Sequence, residues 1–368
     1  MSRWVPVGAA VSVLAVVVFA GFSGGAEVTS DTTAPFANPG AVDDAALTIP
    51  SSTLPGVVIV PEAGVVKTNL SEPLRRGATG AEVTAMQQRL KDLGFDPGPV
   101  DGIFGGGTEQ AVWAFESLVQ RTPWNQKTGV LTNELWQTMQ DKLIFQPRRP
   151  QPAGARHMEI YLDLQAAIVF DDNEAVLLTH ISSGELDESG NPKLWCELVT
   201  YNTDQYGQPL AEPVTKDECA YAKTPGGVFK FYRRYDGNRL GPLGGMWNPV
   251  YFNYGIAVHG AQSVPIQPAS HGCVRIPMWI ADYFPTLVAN GDLVYVWDGK
   301  KEPEQQSKDE MLPSFNFRNP NSTSTSSSST SSTTTTTTTV KPPTTTTKPV
   351  STTTTSSVTP TTAASVTP

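Results

Sequence analysis

The segment on which fold and chemistry depend runs from Val258-His259-Gly260 to Ser270-His271-Gly272-Cys273-Val274-Arg275. It contains two of the four histidines and one of the three cysteines of the chain. Each His-Gly pair stands where an apolar run gives way to glycine and polar residues, which is typical of a loop carried by a strand. A thiol becomes a nucleophile when a base within hydrogen-bond reach removes its proton. The segment therefore supplies a candidate nucleophile together with candidate bases.

Within this segment we expect Cys273 to be the nucleophile and His259 its base. His271 is close to Cys273 in sequence and is expected to point elsewhere, whereas His259 ends a predicted strand and can face the thiol across a loop. Gly272 lets the backbone approach a substrate closely, so the amides of Gly272 and Cys273 are candidate oxyanion donors. Arg275 is permanently charged and suits a carboxylate.

Three other interpretations of these residues stay open. His259, His271 and Cys273 are possible zinc ligands, but they are only three, and Arg275 would repel a cation. Cys273 is alternatively an inert core residue, although flanking glycine, histidine and arginine argue against this. Arg275 is alternatively the partner of a structural carboxylate.

The composition and the N-terminus indicate an exported protein. The 368-residue chain has a formal charge of -9 and no basic run, so we expect no nucleic-acid partner. Residues 1–26 combine Arg3, an apolar stretch from Val5 to Phe22, and small residues before Glu27. They fit a secretory signal or a membrane anchor equally, and in either case the rest of the chain lies outside the cytoplasm.

The cysteine count of an exported chain predicts one disulfide and one free thiol. Cys196 and Cys219 bracket a polar insertion, and a disulfide between them would close a loop. The alternative is two unpaired cysteines that are near each other by chance. The pairing leaves Cys273 as the odd thiol.

Composition and periodicity divide the chain into six segments. The export segment is followed by a Thr/Ser/Pro-rich linker (27–71), in which residues 57–60 can form a short strand. A helical domain (72–142) comes next, and we predict that Thr108 and Thr132 cap its second and third helices. A Pro-rich connector (143–155) leads to a strand-rich region (156–298), and a Ser/Thr/Pro-rich tail (299–368) is predicted to be disordered. In the strand-rich region we predict strands at 167–170, 175–180, 228–233, 256–259 and 293–297 and one helix at 277–287.

The helical domain resembles the peptidoglycan-binding domain 1 family. The resemblance rests on Gly77, Gly80, Val83, Gln87, Leu90, Gly94, 100–105, Thr108, Ala111, Val112 and Phe115. It implies a small three-helix module that binds cell-wall glycan peptide, with a helical spacer as the alternative. The segment from Arg121 to Thr128 is longer than the family pattern.

The strand-rich region resembles the L,D-transpeptidase family with its YkuD domain. Besides His259-Gly260 and 270–275, the segments Thr224-Pro225-Gly226-Gly227-Val228-Phe229 and Ser182-Ser183-Gly184 match the family pattern. The resemblance implies a mostly β fold with Cys273 as nucleophile and His259 as base. The expected fold is therefore multidomain, a small all-α three-helix domain followed by a mainly-β catalytic domain. The Cys196 to Cys219 insertion departs from the shortest members and is predicted to form a lid.

What this second resemblance implies is an acyl transfer on wall stem peptides that forms 3→3 cross-links through a Cys273 thioester. Arg275, Ser270 and Gly260 are then expected to contact the substrate, and His271 and Gly272 to shape the oxyanion site or the loop. No metal or cofactor is needed, a carbapenem is expected to acylate the same thiol, and the N-terminal segment is the only membrane contact. An L,D-carboxypeptidase and a non-catalytic wall-binding protein are the alternatives.

Overall fold

The computed structural model describes residues 56–61, 64, 66–203, 208–241 and 243–314. The predicted export segment and most of the two low-complexity segments lie outside these residues. Within the described part of the chain, no helix is long and apolar enough to cross a membrane. A helical module is followed by a region built of strands, which confirms the predicted fold class.

The helical module consists of three helices and a two-stranded sheet. Its elements are β1 (Val57–Val60), α1 (Ala81–Asp92), α2 (Gly106–Val119), α3 (Asn133–Met139) and β2 (Lys142–Phe145). β1 pairs antiparallel with β2, so the strand predicted in the first linker belongs to the module. On α1, Val83, Met86 and Leu90 recur at intervals of three and four residues and are buried with Phe115 of α2 in one core.

The two predicted helix caps have different outcomes. Thr132 caps α3, since its side-chain oxygen accepts a hydrogen bond from the Leu135 amide at 3.2 Å. Thr108 does not cap α2, because that helix already begins at Gly106. Instead the Thr108 hydroxyl is buried and accepts a hydrogen bond from Gln87 Nε2 at 3.1 Å.

The strand-rich region contains two five-stranded sheets and a separate hairpin. Its elements are β3 (Arg156–Tyr161), β4 (Ala166–Asp171), β5 (Glu174–His180), β6 (Leu194–Thr203), β7 (Pro209–Tyr221), β8 (Gly227–Lys230), β9 (Arg233–Arg234), β10 (Asn238–Gly241), β11 (Gly244–Asn253), β12 (Ile256–Ala261), β13 (Val274–Pro277), α4 (Met278–Ala281), α5 (Phe284–Leu287) and β14 (Leu293–Trp297). The first sheet has the order β5-β4-β3-β14-β8. The second has the order β10-β11-β12-β13 with β9 on β11. Among the described strands, β6 and β7 form a two-stranded sheet of their own.

Two predicted elements are divided in the structure. The single helix predicted over 277–287 is divided into α4 and α5, because Pro285 lacks the N–H that would continue the hydrogen-bond ladder. The strand predicted over 228–233 is likewise divided between β8 of the first sheet and β9 of the second. The strand predicted at 293–297 coincides with β14.

The first sheet is buried on both faces. On β4, Ala167 and Val169 belong to the core between the two sheets, whereas Ala166, Ile168 and Phe170 belong to a core shared with the helical module. Successive side chains of a strand point to opposite faces, so both faces are covered by apolar neighbours. This explains why the sequence of β4 lacks an alternation of apolar and polar residues.

The segment from Arg121 to Thr128, where the module departs from its family, contacts the strand-rich region. Lys127 Nζ donates a hydrogen bond to Leu164 O at 3.0 Å and lies 3.2 Å from His180 Nδ1. His180 is buried, and its Nε2 donates to Pro265 O at 2.9 Å. Burial lowers the pKa of Lys127 to about 7 and, with the Lys127 charge, the pKa of His180 to about 3. The departure is therefore a docking contact, and His180 is a buried residue of β5.

Residues 299–314 pack on the first sheet, so the tail does not begin at 299 as the composition predicts. The buried Arg149 forms ion pairs with Glu304 at 2.6 Å and Glu302 at 2.8 Å. Arg148 lies 2.7 Å from Glu302 and 4.4 Å from the centre of the Trp297 ring. The charges of the Pro-rich connector and of the segment after β14 thus neutralise each other, which holds both segments on the sheet.

We expect Arg149→Ala to lower the free energy of unfolding by about 3–5 kcal/mol, because it leaves the buried Glu304 carboxylate without its partner and removes one of the two arginines paired with Glu302. Chemical denaturation at neutral pH measures this. Arg156→Ala is the control, since Arg156 is half exposed and lies 3.6 Å from Asp292, and it should cost less than about 1 kcal/mol. Equal effects of the two substitutions would contradict a structural role of residues 302–304.

Candidate active site

A cavity of about 950 Å³ lies between two hairpins of the strand-rich region. The β6–β7 hairpin contributes Trp195 and Tyr201 to its lining, and the β10–β11 hairpin contributes Arg239 and Met246. The lining also includes the predicted site residues His259, Gly260, Ser270, His271, Cys273 and Arg275. The structure therefore brings the predicted residues together in one cavity.

The parallel pairing of β12 and β13 positions three of these residues. His259 lies opposite Arg275 in the register of the two strands. Cys273 precedes β13 directly, and a residue two positions before Arg275 points to the same side of the chain. His259, Cys273 and Arg275 therefore converge on one wall of the cavity.

His259 is buried, with 5% of its surface exposed, and its tautomer follows from its hydrogen bond. Its Nδ1 lies 3.0 Å from the carbonyl oxygen of Gly260. Because a carbonyl can only accept, Nδ1 carries the proton and Nε2 is left with a free electron pair. Burial, reinforced by the Arg275 charge and opposed by the Gly260 hydrogen bond, lowers the pKa of His259 to about 4. The imidazole is therefore neutral and able to accept a proton at physiological pH.

Cys273 is a free, half-buried thiol. Its Sγ donates a hydrogen bond to Gly255 O at 3.7 Å. Burial raises the pKa of the Cys273 thiol, while the charges of Arg275 and Arg239 act in the opposite direction. Since the thiol is protonated and His259 is neutral, the pair rests as two uncharged groups rather than as a thiolate and an imidazolium.

The loop that carries Cys273 is held by two hydroxyl groups. Ser270 Oγ donates to Cys273 O at 2.5 Å and accepts from the Gly272 amide at 3.0 Å. Thr224 Oγ1 donates to Gly272 O at 2.6 Å and accepts from the Gly184 amide at 2.9 Å. Each hydroxyl thus satisfies two backbone groups, and the loop has little freedom to move.

Backbone contacts complete this arrangement from the Ser182-Ser183-Gly184 segment. Ser182 and Arg275 exchange two backbone hydrogen bonds of 2.9 and 3.0 Å. A Cβ atom at Gly184 would lie 2.1 Å from Ala222 O, and one at Gly272, whose φ is +132°, would lie 2.7 Å from Lys223 O. Only glycine fits at these two positions.

His271 faces the β6–β7 hairpin. Its Nε2 lies 3.1 Å from Glu197 Oε1, and its ring packs edge-on against Trp195 with 4.8 Å between the ring centres. Cys196 and Cys219 lie opposite each other in the hairpin, with Cα atoms 4.2 Å apart, and form a disulfide. The insertion predicted to form a lid is therefore a cross-linked hairpin at the cavity, and His271 connects it to the nucleophile loop.

The polar groups of three other predicted site residues are already used inside the protein. The Gly272 amide is directed at Ser270 and not at the cavity, which leaves the Cys273 amide as the remaining donor of the expected pair. Gly260 packs tightly, since a Cβ there would lie 2.7 Å from the Cβ of Ala281. Substrate contact by Ser270 and Gly260 stays a prediction. Among the described residues, no group of three His, Cys, Asp or Glu side chains is placed to hold a metal ion.

Four residues of the site were not predicted from the sequence. Thr224 is part of a family motif, but its hydrogen bond to Gly272 spans 48 positions and has no local signal. Arg233, Arg239 and Tyr251 line the cavity next to the thiol. Their only signal is a set of charged and aromatic residues around β9 and β10, which is equally typical of a solvated hairpin.

Comparison with known proteins gives the family. Residues 156–296 match the family model of the L,D-transpeptidase catalytic domain, and residues 79–139 match that of peptidoglycan binding domains. A solved L,D-transpeptidase from Xylanimonas cellulosilytica (residues 123–326) is 30% identical, with a TM-score of 0.47, over 63% of this chain and 100% of its own. The chain belongs to the L,D-transpeptidase family.

Two further matches are more distant or shorter. An L,D-transpeptidase from Stackebrandtia nassauensis is 18% identical with a TM-score of 0.32, over 62% of this chain and 97% of its own. A spore cortex-lytic enzyme of Bacillus cereus is 46% identical over 46 residues, which are 12% of this chain and 18% of that protein. The chain thus spans less than a fifth of the curated relatives that it matches.

We expect the alkylation of Cys273 by iodoacetamide to increase as the pH rises through a midpoint above the ordinary value of about 8.5, because burial raises the pKa of the thiol. The alkylation rate is measured by mass spectrometry between pH 5 and 10. Cys196 and Cys219 do not compete for the reagent, because they are joined in a disulfide. His259→Gln should leave the midpoint unchanged, since His259 is already neutral above pH 5, and should lower the rate below the midpoint, because the base that accepts the thiol proton is lost. A midpoint below pH 7 would instead indicate a preformed thiolate–imidazolium pair.

We expect Thr224→Val to lower the free energy of unfolding by about 1–3 kcal/mol, because the Gly184 amide and the Gly272 carbonyl each lose a partner. Amide hydrogen exchange at Gly184 should also become faster. Thr224→Ser is the matched control and should retain both properties, because it keeps the hydroxyl. If the valine and serine variants behaved alike, the hydroxyl would not hold the loop.

Proposed function

We propose that this L,D-transpeptidase family member forms 3→3 cross-links between peptidoglycan stem peptides through a Cys273 thioester. The observation that carries the proposal is the placement of Cys273, neutral His259 and Arg275 on one wall of the cavity. An uncharged thiol beside an imidazole with a free Nε2 is suited to nucleophilic attack with concurrent proton transfer.

In the first step, Cys273 Sγ attacks the carbonyl carbon of the third residue of a donor tetrapeptide. The thiol proton moves to His259 Nε2 as the C–S bond forms, and the Cys273 amide faces the oxygen that gains charge. His259 then gives this proton to the departing amine as the C–N bond breaks, which releases D-alanine and leaves the thioester.

In the second step, the side-chain amine of the third residue of a neighbouring stem attacks the thioester. His259 Nε2 accepts a proton from this amine and returns it to sulfur as the C–S bond breaks. The new amide is the cross-link, and the enzyme is regenerated without a metal or a cofactor. A carbapenem is proposed to acylate Cys273 in the same way, because its strained lactam resembles the acyl donor.

The helical module supports a wall substrate. Residues 79–139 match the family of peptidoglycan binding domains, and a module that binds wall polymer raises the local substrate concentration at the cavity. We propose that the protein acts in the cell envelope, with residues 1–26 serving as a secretory signal or an anchor. The β6–β7 hairpin limits the access of water to the thioester, which favours transfer to an amine over hydrolysis.

Incubation of the purified protein with disaccharide tetrapeptide should yield a dimer with loss of D-alanine, measured by mass spectrometry. Cys273→Ala should form neither the dimer nor the acyl-enzyme, because the nucleophile is absent. Cys273→Ala also serves as the folding control, since its thermal midpoint should match that of the unmodified chain. Tripeptide monomers without dimer would indicate a carboxypeptidase instead, and unchanged substrate would indicate a binding protein.

A further inference from the structure

The cavity carries an excess of positive charge. Arg233, Arg239 and Arg275 line it together with a single acidic residue, Glu218. The Glu218 carboxylate is hydrogen-bonded by the hydroxyl of Tyr201. In the described part of the chain, none of the three arginines forms an ion pair. The protein as a whole carries a charge of -9, so a group of three arginines outside ion pairs is a local feature of the cavity.

Two of these arginines are stacked on one aromatic ring. Arg233 Cζ lies 4.2 Å from the centre of the Tyr251 ring, and Arg239 Cζ lies 5.4 Å from the same centre. Arg239 Nη1 also donates a hydrogen bond to the Tyr251 hydroxyl, and its guanidinium lies 5.1 Å from the Tyr235 ring centre. We refer to Arg233, Tyr251 and Arg239 as the arginine–tyrosine stack. Stacking fixes a guanidinium plane and leaves N–H groups along its edge for a planar anion.

The stack and Arg275 are carried by strands on either side of β12. Tyr251 is opposite Ala257 in the register of β11 and β12, two residues before His259. Arg239 is near enough for its charge to act on the Cys273 thiol, and Tyr251 is near enough to be affected by the charge of that thiol. Arg275 is carried by β13, the strand that follows Cys273. A substrate that reaches the thiol therefore enters a cavity lined by cations from two different strands.

We propose that the arginine–tyrosine stack is a carboxylate-binding subsite that selects acyl donors with a free carboxylate beside the scissile bond. This inference rests on the proposed function, because it takes a peptide as the ligand of the cavity. A carboxylate is the anion whose two oxygens match the guanidinium edge, and such a pair is strongest where water is partly excluded. Amidation of that carboxylate removes the charge, so the subsite distinguishes amidated from unamidated stem peptides.

The test measures binding of three tetrapeptides to Cys273→Ala by calorimetry, with all carboxylates free, with the internal ones amidated, or with the terminal one amidated. We expect Arg239→Gln in the Cys273→Ala background to weaken binding of the free peptide about 10- to 100-fold. For one of the two amidated peptides, Arg239→Gln should not weaken binding, and the amidated position then identifies the carboxylate that the stack binds. Arg233→Gln is the second variant and should act on the same carboxylate.

Two controls separate recognition from a structural effect. Arg156→Gln removes an arginine outside the cavity and should leave the affinity for all three peptides unchanged. Arg239→Lys keeps the charge but not the guanidinium edge, so it should bind the free peptide with intermediate affinity. Equal weakening of all three peptides by Arg239→Gln, or no weakening of any, would overturn the proposal.

The outcome is separable from that of the proposed function. The binding experiment uses a variant without the nucleophile, so it does not depend on turnover. If Arg239→Gln weakens binding only when the carboxylate is free, and the unmodified chain forms no acyl-enzyme, the subsite is supported and the transfer reaction is rejected. If dimers form but Arg239→Gln leaves the affinity for every peptide unchanged, the transfer reaction is supported and the carboxylate subsite is rejected. In turnover assays, a change in the reactivity of Cys273 would affect all donors alike, whereas loss of the subsite would affect only the donor with the free carboxylate.

Discussion

The parallel pairing of β12 with β13 is the constraint on which the site depends. It fixes His259 against Arg275 and sets Cys273 at the start of the second strand, so that a base, a thiol and a cation share one wall. The same sheet buries these groups, and burial favours the uncharged form of both His259 and Cys273. It lowers the pKa of the histidine and raises that of the cysteine, and each change favours the uncharged form. The reactivity of the site therefore depends on proton transfer when a substrate arrives, and not on a standing ion pair.

Much of this could be predicted from the sequence, because the motif residues are close together along the chain. Cys273 and His259 stand at the ends of recognisable strands, and the helical module has the periodicity of packed helices. The pairing of Cys196 with Cys219 was predicted from the count of three cysteines and from the polar insertion that these two residues bracket. These inferences need only local spacing and elementary chemistry.

The rest required the tertiary structure. The Thr224 hydroxyl holds Gly272 from 48 positions away, and the ion pairs of Arg149 with Glu302 and Glu304 span more than 150 positions. Composition assigned Arg149 to a stiff Pro-rich connector and the two glutamates to a disordered tail, because charge and proline are typical of linkers as well as of neutralised, packed segments. The apolar run from Ala166 to Phe170 did contain a signal, since a strand without alternation is covered on both faces. The helical module is what covers the second face.

The shared core also fixes the distance between the helical module and the strand-rich region. Because Phe115 of the module and Phe170 of the first sheet belong to one apolar cluster, the two parts cannot separate without exposing that cluster to water. The Lys127 contact to Leu164 and the hydrogen bond of Tyr283 to Asp96 add polar links across the same boundary. If the helices hold a wall polymer, as proposed above, the polymer is presented to the cavity at a constant offset and in a constant direction. The distance between the site where the polymer is held and the site where it reacts is then set by the fold of the protein and does not vary with the diffusion of a tethered module.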